Sequence, residues 1–200
     1  MYVTGVNTTI VQALRAMRSG EEISRLPTGP GEAFYPKRHD RYLFAQGLLR
    51  SKRIDEQTEA DAFTSLSVNL TQVMLLCELI LKENPNARIC IIGSESGIHG
   101  SYDQTYAAAK AGVHQYIRTR RVGPHQQLVG IAPAIIEDSG MTQRRTDLQM
   151  LLKRTKKEHP KKRLLTAGEV AQLIHFLLFT DRGYICNTVI EMDGGKHAQK

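Results

Sequence analysis

Tyr106 and Lys110 are set four residues apart in an alanine-rich stretch, so a helix places them on one face. A phenol titrates near pH ~10 and is a poor acid–base at neutrality. A fixed ammonium beside it favours the phenolate and draws that value toward the working range. Ser94 precedes the pair across a glycine-bearing loop, where its hydroxyl could hold a substrate oxygen. The three residue types suit the movement of a proton on or off a carbinol oxygen. With 7 tyrosines in the chain, a lone Tyr-x-x-x-Lys pair is an ordinary chance occurrence, and its plain reading is an exposed helical face. Its surroundings give it weight. The apolar run Ile89-Cys-Ile-Ile92 reads as a buried parallel strand, Gly93, Gly97 and Gly100 make a loop, and a helix is expected over residues 104–121.

That stretch resembles the catalytic segment of the short-chain dehydrogenase/reductase family, with its Ser and Tyr-x-x-x-Lys. The resemblance implies an α/β fold, a Rossmann-like doubly wound parallel sheet, and NADP or NAD as cofactor. It also implies that Tyr106 gives or takes the proton, that Lys110 lowers its pKa and holds the nicotinamide ribose, and that Ser94 steadies the substrate oxygen. Ser67-Val-Asn-Leu70 is similar to the family's Asn-bearing segment. Asn69 would then be the fourth catalytic residue, bending its helix and holding a water that relays protons to Lys110. Carried over position by position, the cofactor contacts fall on Gly5, Ile10, Arg25, Gly47, Tyr106, Lys110, Pro133 and Ile136. The ending of the chain, YICNTVIEM followed by Asp193-Gly194-Gly195, resembles the family's last strand.

The chain departs from the family in several places. Strand, glycine turn and helix follow one another at the start, the order of a phosphate-binding unit, with Thr8 or Thr9 as helix cap. The family's Thr-Gly-x-x-x-Gly-x-Gly begins at Thr4-Gly5, but Thr9 and Val11 stand where the second and third glycines belong. Those glycines let backbone approach a pyrophosphate and helix pack on strand, so Thr9 and Val11 are expected to obstruct both. The family's Asn-Asn-Ala-Gly falls on Phe44-Ala45-Gln46-Gly47, of which the glycine remains. Pro-Gly beside the nicotinamide becomes Pro133-Ala134, and Asp138 is expected to set a negative charge near the cofactor phosphates. Residues 20–26 are a weak second strand ending in Ser24-Arg25; the arginine suits a 2′-phosphate and hence NADP, or is an ordinary exposed side chain. Residues 27–40 read as a loop with at most a short strand near residues 33–35, so the adenine-binding side is expected to be trimmed.

Residues 41–49 read as the next buried strand and its turn, and a long helix is expected over residues 56–82. Its apolar stripe from Leu66 to Leu81 is wide enough for a core and a two-fold partner, so a homodimer or homotetramer is expected. Residues 128–136 form another strand and residues 139–165 a segment over the substrate side. That segment carries seven Lys/Arg and one Glu in residues 153–163. A solvated basic lid, possible contact with an anionic handle on a small carbonyl or alcohol substrate, and nucleic acid are its readings. Nucleic acid is the least favoured, for want of interleaved aromatics. Thr166-x-x-Glu169 is a capping box opening the last helix.

The length of 200 residues suits one domain, and 41% apolar with 24% charged residues is ordinary for a globular chain. No apolar run approaches ~20 residues, so no membrane span is expected. Residues 1–11 lack the basic start and cleavage pattern of a secretory leader. Cys77, Cys90 and Cys186 are odd in number and scattered; they fit neither metal-ligand spacing nor a disulfide framework, and suggest a reducing cytoplasm. The competing function is a non-catalytic relative that keeps the fold as a binding or assembly module. The Asn-Ser-Tyr-Lys set favours the enzyme, and the lost glycines favour the module.

Overall fold

Six short strands pair in one parallel sheet in the order β2-β1-β3-β4-β5-β6. They are β1 Tyr2–Thr4, β2 Ser24–Arg25, β3 Arg41–Phe44, β4 Arg88–Ile92, β5 Gln127–Pro133 and β6 Val189–Met192. The helices are α1 Thr9–Met17, α2 Glu59–Leu66, α3 Gln72–Glu83, α4 Ser96–His99, α5 Gln104–Thr119, α6 Gly140–Gln143, α7 Leu148–Glu158 and α8 Ala167–His175. This computed structural model describes residues 1–26 and 35–198.

Successive side chains of a strand point to opposite faces, so each strand feeds two cores. Leu43, Cys90, Ile92, Val129 and Ile131 pack with Val11 and Leu14 of α1 and with Val170 and Ile174 of α8. Tyr42, Phe44, Ile89, Ile91 and Leu128 pack on the other side with Val73, Cys77 and Ile80 of α3 and Val113 and Ile117 of α5. The result is a sheet between two helical layers, the α/β Rossmann-like arrangement expected. The chain leaves β1 for β2 on one side and returns to the other side as β3. By the rule for doubly wound sheets, ligands bind at the carboxyl ends of β1 and β3, where the strand order reverses. Among the described residues only the two-residue β2 lies outside β1, so the adenine side is short, as expected.

Several boundaries differ from expectation for local reasons. The last strand begins at Val189 because Asn187 adopts φ 52°, and its amide turns to donate to the carbonyls of Ile117 (2.7 Å) and Arg120 (2.6 Å). β5 stops at Pro133, which has no N–H to continue the ladder; Ile136 makes an isolated bridge with Leu165. Of the strand expected near residues 33–35, residues 33 and 34 lie outside the described residues, and Tyr35 is not in a strand.

The long helix is continuous from Glu59 to Glu83, interrupted by a π turn at Ser67–Thr71. By length and composition it is apolar enough to cross a membrane. Here Val73, Cys77, Ile80 and Leu81 face the sheet and α5, while Phe63, Leu75 and Leu79 remain exposed at 65%, 66% and 42%. A core helix with one uncovered apolar face meets the same criterion.

Candidate active site

β4 carries its pairing with β5 one step past its end: Gly93 N donates to Ile131 O (2.7 Å) and Glu95 N to Pro133 O (3.0 Å). Ser94 sits between them, 9% exposed, and its Oγ accepts from Ser96 N at 3.1 Å. α5 starts beside it. Asp103 caps the helix, its Oδ1 accepting from Tyr106 N (3.1 Å) and the Thr105 hydroxyl (2.9 Å), its Oδ2 from Arg50 N (2.8 Å). This cap fixes the first turn and therefore the direction of Tyr106. The phenol faces the Ser94 side chain, close enough for that hydroxyl to act on its titration.

One turn on, Lys110 is 3% exposed, and its Nζ donates to Ile92 O at 2.8 Å. Burial lowers its pKa from 10.5 to about 8. Nζ lies 5.7 Å from the centre of the Tyr106 ring. The structure thus brings Ser94, Tyr106 and Lys110 together at the carboxyl end of β4. It reverses the expected direction of the phenol's titration. Burial raises the Tyr106 pKa above its ordinary value of 10.0, the Ser94 hydroxyl lowers it in part, and the Asp103 carboxylate raises it further. Lys110 spends its nearest bond on Ile92 and does not offset that burial.

Asn69 lies in the π turn, fully buried. Its Oδ1 accepts from Leu48 N (2.9 Å) and its Nδ2 donates to Leu48 O (2.8 Å) and Ser65 O (2.9 Å). The bend expected at this residue is present. The amide, however, is a brace that clamps the segment after β3 to the helix, and both its hydrogens are spent. A relay to Lys110 cannot use them.

The cofactor positions gather at the same edge of the sheet. Gly5 follows β1 at φ +63°, and a Cβ there would lie 2.8 Å from the Ala45 carbonyl oxygen, so only glycine fits. Thr4 ties the two strand ends together, its Oγ1 accepting from Ala45 N (3.0 Å) and Gln46 N (3.3 Å). Thr8 caps α1 by accepting from Val11 N at 3.4 Å, and the Thr9 and Ile10 N–H groups have no partner among the described residues. Val11 is fully buried among Val3, Leu14 and Leu43. It fills the helix–sheet interface instead of the mouth of the turn, so of the two expected obstructions only Thr9, half-buried, stands near the opening. Gly47 follows β3 next to Asn69, and a Cβ there would lie 3.2 Å from Met141 Cε, so α6 reaches across to it. Arg25 is exposed at the end of β2; Pro133 ends β5, and Ile136 is buried just beyond. Asp138 lies beside the start of α8, its Oδ1 accepting from Ala167 N at 2.8 Å.

The basic segment folds as α6 and α7. Between α7 and the end of β6 runs a groove of about 750 Å³, floored by Ala134, Ile135 and Met192. Ser94, Tyr106 and Lys110 do not line it. Its cations are mostly engaged: Arg145 with Asp147 (2.8 Å), Arg154 with Glu158 (2.6 Å), Arg163 with Glu169 (2.7 Å) and Lys196 with Glu95 (3.0 Å). Sequence reasoning missed two residues of the site. Asp103 carried a findable signal, a helix-capping type directly before the periodic stretch. His114, one turn past Lys110 and 1% exposed, carried only its place on the buried face of the helix.

Comparison with known proteins places the chain among relatives of one kind. A family described as enoyl-(acyl carrier protein) reductase matches residues 36–197. A 3-oxoacyl-[acyl-carrier-protein] reductase of Pseudomonas aeruginosa is 30% identical over 158 residues, covering 76% of this chain and 63% of that protein, so the match spans less than two thirds of that relative. Levodione reductase of Leifsonia aquatica is 30% identical over 186 residues, covering 84% of this chain and 70% of its own. Among solved structures, a short-chain dehydrogenase/reductase from Brucella melitensis superposes with TM-score 0.83 at 22% identity, covering 99% of this chain and 96% of its own. A candidate 2-deoxy-d-gluconate 3-dehydrogenase from Agrobacterium tumefaciens, solved with bound NADP, gives 0.84 at 20% identity, covering 99% of this chain and 96% of its own.

Proposed function

The chain belongs to the short-chain dehydrogenase/reductase family, and from that premise we propose that it is an NAD(P)-dependent oxidoreductase interconverting a carbonyl and an alcohol. The observation that carries this reading is the convergence of Ser94 and Tyr106 at the carboxyl end of β4, one helical turn from a buried Lys110. A nicotinamide nucleotide supplies the hydride acceptor or donor. The chain's own work is with the proton. In the reducing direction Tyr106 gives its phenolic proton to the substrate oxygen, and in the oxidising direction it takes one. Ser94 holds that oxygen, and Lys110 stands one helical turn away to hold the nicotinamide ribose. Asn69 keeps Leu48 and the segment after β3 in place. The competing reading, a non-catalytic binding or assembly module, draws on the lost glycines and the raised phenol.

The residues present fit a dinucleotide. The open N–H groups of Thr9 and Ile10 at the start of α1 suit a phosphate, with Gly5 and Gly47 as close-approach positions. Tyr106, Lys110, Pro133 and Ile136 would hold the nicotinamide end, and Arg25 favours NADP over NAD. Thr9 narrows the turn, so affinity is expected to be weaker than in a glycine-complete relative. Thr9→Gly is expected to tighten binding several-fold in a NADPH or NADH fluorescence titration. Val11→Gly is expected to destabilise instead, by about 2–4 kcal/mol, because it empties the core. Submicromolar binding by the wild type would show that the turn is not restrictive. Turnover across a panel of ketones and aldehydes tests the reaction itself; no turnover together with no nucleotide binding would favour the module.

Residues 1–200 are read as a single domain, with residues 139–165 covering the substrate side. An anionic substrate handle would meet Lys161 in the groove, since the neighbouring arginines are already paired. The exposed Phe63, Leu75 and Leu79 suit a second copy packed about a two-fold axis, giving a homodimer or homotetramer. Light scattering is expected to give twice or four times the chain mass, and a monomer at working concentration would overturn this. The free thiols of Cys77, Cys90 and Cys186 support a cytoplasmic location.

A further inference from the structure

The turn that holds Ser94 has a complete hydrogen-bond account except at one point. The N–H groups of Gly93 and Glu95 go to β5, and that of Ser96 goes to the Ser94 hydroxyl. The Ser94 N–H points away from β5, because alternate donors of a strand face opposite edges. Its acceptor is His114 Nε2, at 3.4 Å, reaching back from α5. The ring is 1% exposed. It lies against Gly93, where a Cβ would come within 2.2 Å of Nε2; a Cβ on Gly97 would meet the Lys110 backbone at 2.7 Å as well as Cε1 at 2.8 Å. No other residue type fits at either position while His114 stays where it is.

We propose that His114 is a positioning residue for this site: its imidazole, wedged between Gly93 and Gly97, accepts the Ser94 N–H and thereby fixes the Ser94 hydroxyl against Tyr106. The role of Ser94 in turnover rests on the reductase reading above; the contact itself does not. Because Nε2 accepts, the ring proton sits on Nδ1, which has no partner. An unpaired buried donor is a cost that an apolar side chain would not carry, so packing alone does not account for histidine here. Burial, with the nearby charges of Arg118 and Lys110, lowers the His114 pKa to about 4, so the ring is neutral and its Nε2 lone pair is free to accept.

The test uses His114→Leu, which keeps apolar volume and loses the acceptor, and His114→Gln, whose Oε1 follows the same path as Nε2. In ¹⁵N spectra of the wild type the ring is expected as the Nδ1–H tautomer at neutral pH; an Nε2–H tautomer overturns the proposal even if neither variant folds. The Ser94 amide proton is expected to shift upfield in the leucine variant and to return in the glutamine variant. With an active substrate, kcat is expected to fall about 10- to 100-fold for leucine at unchanged KM for the nucleotide, and to recover for glutamine. Equal behaviour of the two variants, whether both intact or both impaired, reduces His114 to packing. The spectra need no substrate. A chain with the expected amide shifts but no turnover counts against the reductase reading alone, and one with turnover but no amide shift counts against His114 alone.

Discussion

Replacing Tyr106 with phenylalanine is expected to lower kcat by about 10²–10⁴-fold, the range for loss of a general acid–base, while the protein stays folded. The ring is 9% exposed, and its packing survives the substitution. What disappears is one hydroxyl and its interaction with Ser94, at most one hydrogen bond. A hydrogen bond of this kind contributes ~1 kcal/mol, so the melting midpoint should move by a few degrees at most. Ser94→Ala should cost less than Tyr106→Phe, because it removes a bond to the substrate oxygen and not the proton itself. The raised phenol pKa adds a pH signature: in the oxidising direction, where Tyr106 must act as base, the rate should climb into alkaline pH. Undiminished turnover in the phenylalanine variant would remove Tyr106 from the mechanism.

Lys110→Met is expected to do two opposite things, removing activity while stabilising the nucleotide-free protein at pH 7. The folded pKa of about 8 lies below the ordinary 10.5, so the folded state disfavours the ammonium. Below pH 8 both folded and unfolded chains are protonated, and the full burial cost is present. Between about 8 and 10.5 the unfolded chain keeps a proton that the folded one has released, so wild-type stability rises with pH across that window. At about 1.4 kcal/mol per pH unit the cost at neutrality is ~3 kcal/mol. Loss of the bond to Ile92 O offsets part of the gain, leaving about 1–2 kcal/mol in favour of methionine. Urea denaturation of both proteins at pH 7 and pH 10 isolates this one group, since the others cancel in the difference. The methionine advantage should vanish or reverse at pH 10. A difference independent of pH would mean that Lys110 titrates as an exposed lysine does.

What could be read from the sequence was what depends on neighbours along the chain. Tyr106 and Lys110 share a face because helical spacing requires it. The run before Gly93 is a strand because it is short, apolar and bounded. Thr166 opens a helix because Glu169 stands three residues on. What could not be read depends on elements far apart in sequence. Val11 occupies a glycine position of the family pattern, yet α1 crosses the sheet so that this side chain enters the core. Asp138 reads as a charge near a phosphate, and only the fold sets Ala167 N of α8 beside its carboxylate. The titration of Tyr106 has the same kind of cause: adjacency to Lys110 along the helix says nothing of the Ile92 carbonyl that the ammonium selects. His114 is apparent only once Gly93 and Gly97 are seen to leave room for it.

The two-residue β2 has a consequence for how the protein behaves in concentrated solution. Removing an outer strand from a parallel sheet usually bares the next one, and a long open edge is a template for pairing with another molecule. Here the edge that remains among the described residues is Ser24–Arg25, too short to nucleate a stable intermolecular ladder. It is also fenced by polar groups: the Ser24 hydroxyl meets the His39 ring at 3.1 Å, and Arg38 pairs with Glu22 at 2.5 Å. Among the described residues, the shortened adenine side therefore presents little edge for another molecule to pair with.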